Sequence, residues 1–128
     1  MRICSLALAL LAAAIAPAFA AGDAVAGKRA FARCASCHQV GASARSVFGP
    51  QLNGIIGRRA AAATDYRYSE AMRKSGIVWD EQRLAAFLRS PNKAVPGTSM
   101  RFWGIGDEKQ IADLLAYLRT IALKGDQS

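Results

Sequence analysis

In the run Arg33-Cys34-Ala35-Ser36-Cys37-His38, two thiols lie three positions apart and an imidazole follows at once. On a helical path that separation is about one turn. Both thiols could therefore reach neighbouring vinyl groups on one edge of a porphyrin, and His38 could place a nitrogen beneath the same ring as an iron ligand. C-x-x-C-H is for this reason an attachment signature for c-type haem. The pair Cys34/Cys37 by itself has rivals: a thioredoxin-like redox pair, half of a zinc site, or a simple disulfide.

Counting the other ligand types narrows the field. The 128-residue chain fits one domain. It opens with Arg2, an apolar run from Ile3 to Ile15, and Pro17-Ala18-Phe19-Ala20. This reads as a secretory signal over 1–20 with an A-x-A-type cleavage site, leaving a mature domain over 21–128 that begins at Ala21. The alternative is an uncut anchor, since no charge falls between Ile3 and Gly22. Pro17, its small neighbours and the lack of a basic flank favour cleavage. Cys4 stands at the start of the apolar run and does not suit a lipoprotein. The mature domain then holds two cysteines and one histidine, whereas a structural zinc usually takes four Cys or His ligands. No βαβ pattern surrounds the pair, which counts against a thioredoxin-like site.

The chain is basic, with 17 Lys and Arg against 9 Asp and Glu, and 16 against 9 once Arg2 is removed. The cations are spread along the sequence and not gathered into an arm. An exported chain rarely meets nucleic acid, so this charge points to an acidic docking surface on a protein partner.

The elements that must position these groups are helical. Asp23 can cap a helix running to about Cys34. From Gln39 to about Asp65 the sequence is irregular and rich in Gly and Ser, a length of loop that makes sense if it wraps something. A short helix is expected between its cap Ser69 and its stop Gly76, and a second is capped by Asp80, with Trp79 and Leu84 at hydrophobic-staple spacing. That helix ends before Ser90-Pro91, and Asn92 to Gly106 is expected to be irregular. Asp107 caps the last helix with Gln110 in a capping-box-like pair. Its stripe of Ile111, Leu114, Leu115, Leu118 and Ala122 runs toward Gly125. No strand run, repeat or second domain is evident. The expected fold is all-α, four or so short helices whose small core a covalently held cofactor would complete.

An iron held by His38 needs a ligand on its other face, and no second histidine exists. Lysine, water or methionine remain. Met72 sits in a helical pattern and reads as packing. Met100 follows Pro96-Gly97-Thr98-Ser99, a stretch that aims one side chain; its residues alone allow ligation or packing equally.

In sum these motifs resemble class I cytochrome c, of the mitochondrial type and its bacterial cytochrome c2-like relatives, from Gly27 to about Ala122. Gly27-Lys28-Arg29-Ala30-Phe31 resembles the N-terminal helix, with Gly27 and Phe31 where it meets the C-terminal one; Leu114, Tyr117 and Leu118 fit the latter. The resemblance implies a cytochrome c fold around one covalent haem c, with thioethers at Cys34 and Cys37 and iron ligands His38 and Met100. It implies that the Pro50 carbonyl accepts from the proximal imidazole. It also places Arg58, Tyr68, Trp79 and Thr98 in the region of the haem propionates and Phe102 beside the exposed haem edge. The sequence departs from the family in four places. Phe87 stands where a tyrosine often contacts the ligand sulfur, Met72 where mitochondrial members usually carry asparagine, and Ser99 and Asn92 where they carry lysines. Arg33 keeps a basic residue at a family docking position.

The function so implied is a soluble periplasmic one-electron carrier and not an enzyme. As a monomer it would bind transiently to acidic surfaces of redox proteins: a bc1-type complex, a terminal oxidase, a reaction centre or a periplasmic dehydrogenase. The alternative is a haem subunit, or a membrane-tethered electron-entry module, of a larger oxidoreductase.

Overall fold

In the computed structural model, which describes residues 21–121, Asp23 starts the first helix as a side-chain cap. Its Oδ1 accepts from the Val25 and Ala26 N–H groups at 2.8 and 3.2 Å, opening α1 (Ala24–Ala30). The expected helix to Cys34 is shorter than this sequence pattern suggested: a 3₁₀ turn over Phe31–Arg33 tightens its end, and Cys34 closes it by donating to the Phe31 carbonyl. Ser69 caps α2 (Glu70–Lys74) through the Met72 N–H. Asp80 caps α3 (Glu81–Arg89) through Arg83.

Two boundaries differ from expectation. The stretch Asn92 to Gly106 is not wholly irregular, because Pro91–Ala94 forms one helical turn, α4. Pro91 at its first position loses no helical bond, so the turn forms without a capping side chain. The last helix, α5 (Glu108–Arg119), stops well before Gly125. The Thr120 hydroxyl and N–H both donate to the Tyr117 carbonyl, and Ile121 donates to Leu118, which closes the end. Ala122, Gly125 and the signal segment 1–20 lie outside the described residues.

The α1–α5 crossing forms one side of the core. Gly27 is buried there because a Cβ would stand 1.9 Å from the Asp113 carbonyl oxygen, so the two backbones can approach only without one. Phe31 meets Tyr117 with ring centroids 5.5 Å apart. The stripe Ile111, Leu114, Leu115 and Leu118 is buried beneath them, as its spacing predicts. Arg89 pairs with Glu108 and Glu81 with Arg119, end to start and start to end, so α3 and α5 run antiparallel. Both pairs are exposed and fix register more than stability.

The segment from Gln39 to Asp65 is held by polar contacts. Buried Asn53 accepts from the Gly41 N–H and donates to the Gly41 carbonyl, both at 2.8 Å. Its carbonyl in turn accepts from Arg58. The only β pairing among the described residues is an isolated antiparallel bridge between Arg59 and Val78. Flanking bonds from Gly57 to the Trp79 carbonyl and from Trp79 to the Arg58 carbonyl set Arg58 beside Trp79. The fold is all-α, as the sequence implied.

Candidate functional site

Helices and loop enclose a cavity of about 490 Å³, within the usual range for a cofactor pocket. All ten site residues named from the sequence line it: Cys34, Cys37, His38, Pro50, Arg58, Tyr68, Trp79, Thr98, Met100 and Phe102. Met72 and Phe87 complete the apolar wall. No carboxylate is among the lining residues.

The His38 side is built by the chain folding back on itself. Gly49 donates to the Cys37 carbonyl and Leu52 to that of Gln39, which brackets the Pro50 carbonyl. That oxygen lies 2.7 Å from His38 Nδ1. A carbonyl only accepts, so Nδ1 carries the proton and Nε2 is left as the basic nitrogen. Gly49 lies flat against the imidazole, where a Cβ would sit 2.5 Å from the ring. The ring is therefore fixed in plane and in tautomer. Burial lowers the imidazole pKa, the Pro50 bond works against this, and Arg58 lowers it further. A neutral ring is the form that ligates metal.

Cys34 and Cys37 are free thiols, the first half-buried and the second exposed. Burial raises the Cys34 thiol above its ordinary value, and neighbouring Arg33 opposes the shift. The Cys34 thiol therefore stays protonated at neutral pH.

The polar end of the cavity gathers Arg58, Tyr68 and Trp79. Two Arg58 nitrogens donate to the Asn53 and Gln51 carbonyls at 2.9 and 2.8 Å. Its Nε is buried without a partner. Burial pulls the guanidinium pKa down, while Tyr68 and Asp65 pull it up. Tyr68 accepts from the Ala63 N–H, and burial raises its phenol pKa, so it stays a neutral hydroxyl. An unsatisfied buried donor on a cation is costly unless an acceptor joins it. An anionic group on a cofactor in this cavity would supply one, and the residues present fit a haem with its propionates at this end.

Met100, also on the cavity wall, is half-buried, and its N–H lies 3.3 Å from Thr98 Oγ1. Thr98 donates to the Val95 carbonyl. Phe87 packs against Trp79 with ring centroids 5.1 Å apart. Sequence reasoning missed the Asn53 buttress and the arginines Arg59 and Arg101 on the wall, since no periodicity or spacing marks a polar residue inside a loop. The buried Asp113, which accepts from the Asp23 N–H at 2.8 Å and from Lys109, carried no signal either. Its backbone partner, Asp23, lies 90 positions away.

Comparison with known proteins bears on this arrangement. The family model described as Cytochrome c matches residues 24–122. The chain is 39% identical over 127 residues to cytochrome c2 of Blastochloris viridis, covering 99% of each. It is 47% identical over 100 residues to cytochrome c2 of Agrobacterium tumefaciens (strain II Chrys), covering 76% of this chain and 90% of that one. Its fold is similar to the solved structure of cytochrome cH from Methylobacterium extorquens, at a TM-score of 0.73 and 45% identity over 77% of this chain and 99% of that one.

Proposed function

The chain belongs to the cytochrome c family, and on that premise we propose that it is a soluble periplasmic one-electron carrier. The observation that carries the reading is the His38 imidazole, held by the Pro50 carbonyl at 2.7 Å in a cavity that Met100 also lines. Bound haem c supplies a ferric/ferrous couple. Cys34 and Cys37 would hold it through thioethers, and His38 would ligate the iron through Nε2. Met100 would supply the second protein ligand to the iron, which would raise the potential and leave no coordination site for a substrate. Arg58 would donate its otherwise unpartnered Nε to a propionate, with Tyr68, Trp79 and Thr98 in the same region. Phe102, on the cavity wall, would pack beside the haem edge. The exported mature domain is expected to begin at Ala21; among the described residues no helix is long and apolar enough to cross a membrane. Arg33 and Arg101 lie on the cavity wall, where they can steer the molecule to acidic partners and raise association rates more than affinity.

The test is spectroscopic. A reduced-minus-oxidised spectrum should be of c-type and survive acid–acetone extraction. Met100→Ala should lower the potential and let carbon monoxide bind the ferrous protein. An unchanged spectrum in Met100→Ala would refute the ligand assignment.

A further inference from the structure

The residue after Phe102 is Trp103, whose side chain is fully exposed, at 101%. Exposed apolar residues scattered singly need no explanation, but three features set this one apart. The backbone that carries it is pinned on both sides: Phe102 packs on the core cluster, and Ile105, itself 2% exposed, donates to the Leu88 carbonyl at 2.9 Å. The indole is thus held outward by an ordered segment, the pre-organised state that lowers the entropic cost of binding. Trp103 also does not line the cavity, although Ser99 to Phe102 immediately before it do. A group filling the cavity therefore leaves the indole uncovered, whereas exposed Phe48 is part of the wall.

Charge supplies the third feature. The cavity wall carries Arg33, Arg59 and Arg101 besides Arg58, and no carboxylate, and Arg101 stands two residues before Trp103. Elsewhere Glu70, Asp80, Glu81, Glu108 and Asp113 each pair with a cation on their own part of the surface. Tryptophan and arginine together are the residues enriched where proteins meet.

Resting on the electron-carrier reading, we propose that Trp103 is the docking anchor of this protein. Its partner is an acidic redox protein that presents an apolar recess rimmed by carboxylates. A second copy of this basic chain would bring like charges together. An anionic membrane suits the charge but not the apolar surface: Val25, Val47, Phe48, Val78 and Trp103 come from separate segments and form no amphipathic helix face of the kind that lies in lipid.

The test titrates the holoprotein with tetrakis(4-carboxyphenyl)porphyrin, an apolar disc rimmed by four carboxylates, followed by amide chemical shifts. Shifts should centre on residues 99–104. Trp103→Ser should weaken binding by about tenfold or more at every ionic strength. Arg101→Ser should cost less, and its effect should fade as salt rises. The proposal is overturned if Trp103→Ser binds the disc as tightly as wild type. It is also overturned if the wild type prefers phosphatidylserine-rich vesicles with a blue shift of Trp103 emission, or if it forms a dimer that this variant abolishes. The disc titration involves no electron transfer, so a holoprotein whose haem fails to cycle between ferric and ferrous would defeat the carrier reading and leave this result standing.

Discussion

The α1–α5 crossing and the loop from Gln39 to Asp65 both contribute to the cavity wall, and the two regions are held by different forces. The crossing is apolar burial and close backbone approach: Gly27 against the Asp113 carbonyl, Phe31 on Tyr117, and a buried leucine-rich stripe. The loop is side-chain amide and guanidinium bonding to carbonyls through Asn53, Gln51 and Arg58. The first kind of contact gains its stability from expelling water and is non-directional. The second contributes about 1 kcal/mol net per bond, yet leaves a larger penalty when one partner is lost. The loop is therefore specific but weakly stabilised, and it relies on what it wraps.

Removing the wrapped group should break both regions together, which is the largest effect expected. A Cys34→Ala/Cys37→Ala double variant loses covalent haem, and a domain of this size has little core beyond the cavity walls. Its far-UV circular dichroism should fall to a largely unfolded signal, and native helicity in that variant would show that the crossing stands alone. Gly27→Ala should come next, at about 2 kcal/mol or more, because overpacking forces the helices apart. Denaturant unfolding measures it; an unchanged midpoint would mean that the helices part at no cost.

Asn53→Ala separates the regions more finely. It strands the Gly41 N–H and carbonyl and should cost about 1–3 kcal/mol. Native-state hydrogen exchange should show the loss in amides of the 39–65 segment and leave those of α5 protected. Uniform loss would deny that the two regions are distinct.

The smallest effect is that of Asp113→Asn, which depends on pH. Lys109, and after it the Asp23 N–H, hold the Asp113 carboxyl below its ordinary value of 3.8. The folded pKa is depressed, so the stabilisation is complete above 3.8 and is lost as pH falls through the lower folded value. The variant should melt below wild type at neutral pH, and the gap should close on acidification. A gap that persisted in acid would mean that the carboxylate charge contributes nothing.

The same contrast explains what could be read from the sequence. The caps Asp23, Ser69, Asp80 and Asp107 were legible because a cap is a local bond between a side chain and amides two or three residues on. The α5 stripe was legible because burial imposes a period. The cavity residues followed from Cys34-Ala35-Ser36-Cys37-His38 and from a resemblance that ordered the rest. Helix α4 was hidden because four residues carry no period and Ser90 makes no side-chain cap. The end of α5 was misplaced because a threonine hydroxyl, and not a glycine, closes it. The bonds from Asn53 to Gly41 and from Asp113 to the Asp23 N–H were illegible for one shared reason: each joins a buried side chain to backbone that is distant in sequence and unmarked by type.

The pairing of α1 with α5 has a consequence for how the molecule is made. The bond from Asp23 to Asp113 joins residues 90 positions apart, and the helix that Gly27 accommodates ends only at Arg119. A chain growing from its N-terminus has nothing for α1 to pack on until nearly the whole sequence has been synthesised. Contacts of such long separation form late. The nascent polypeptide thus stays loose until it is almost complete, a state compatible with the export and haem attachment proposed above.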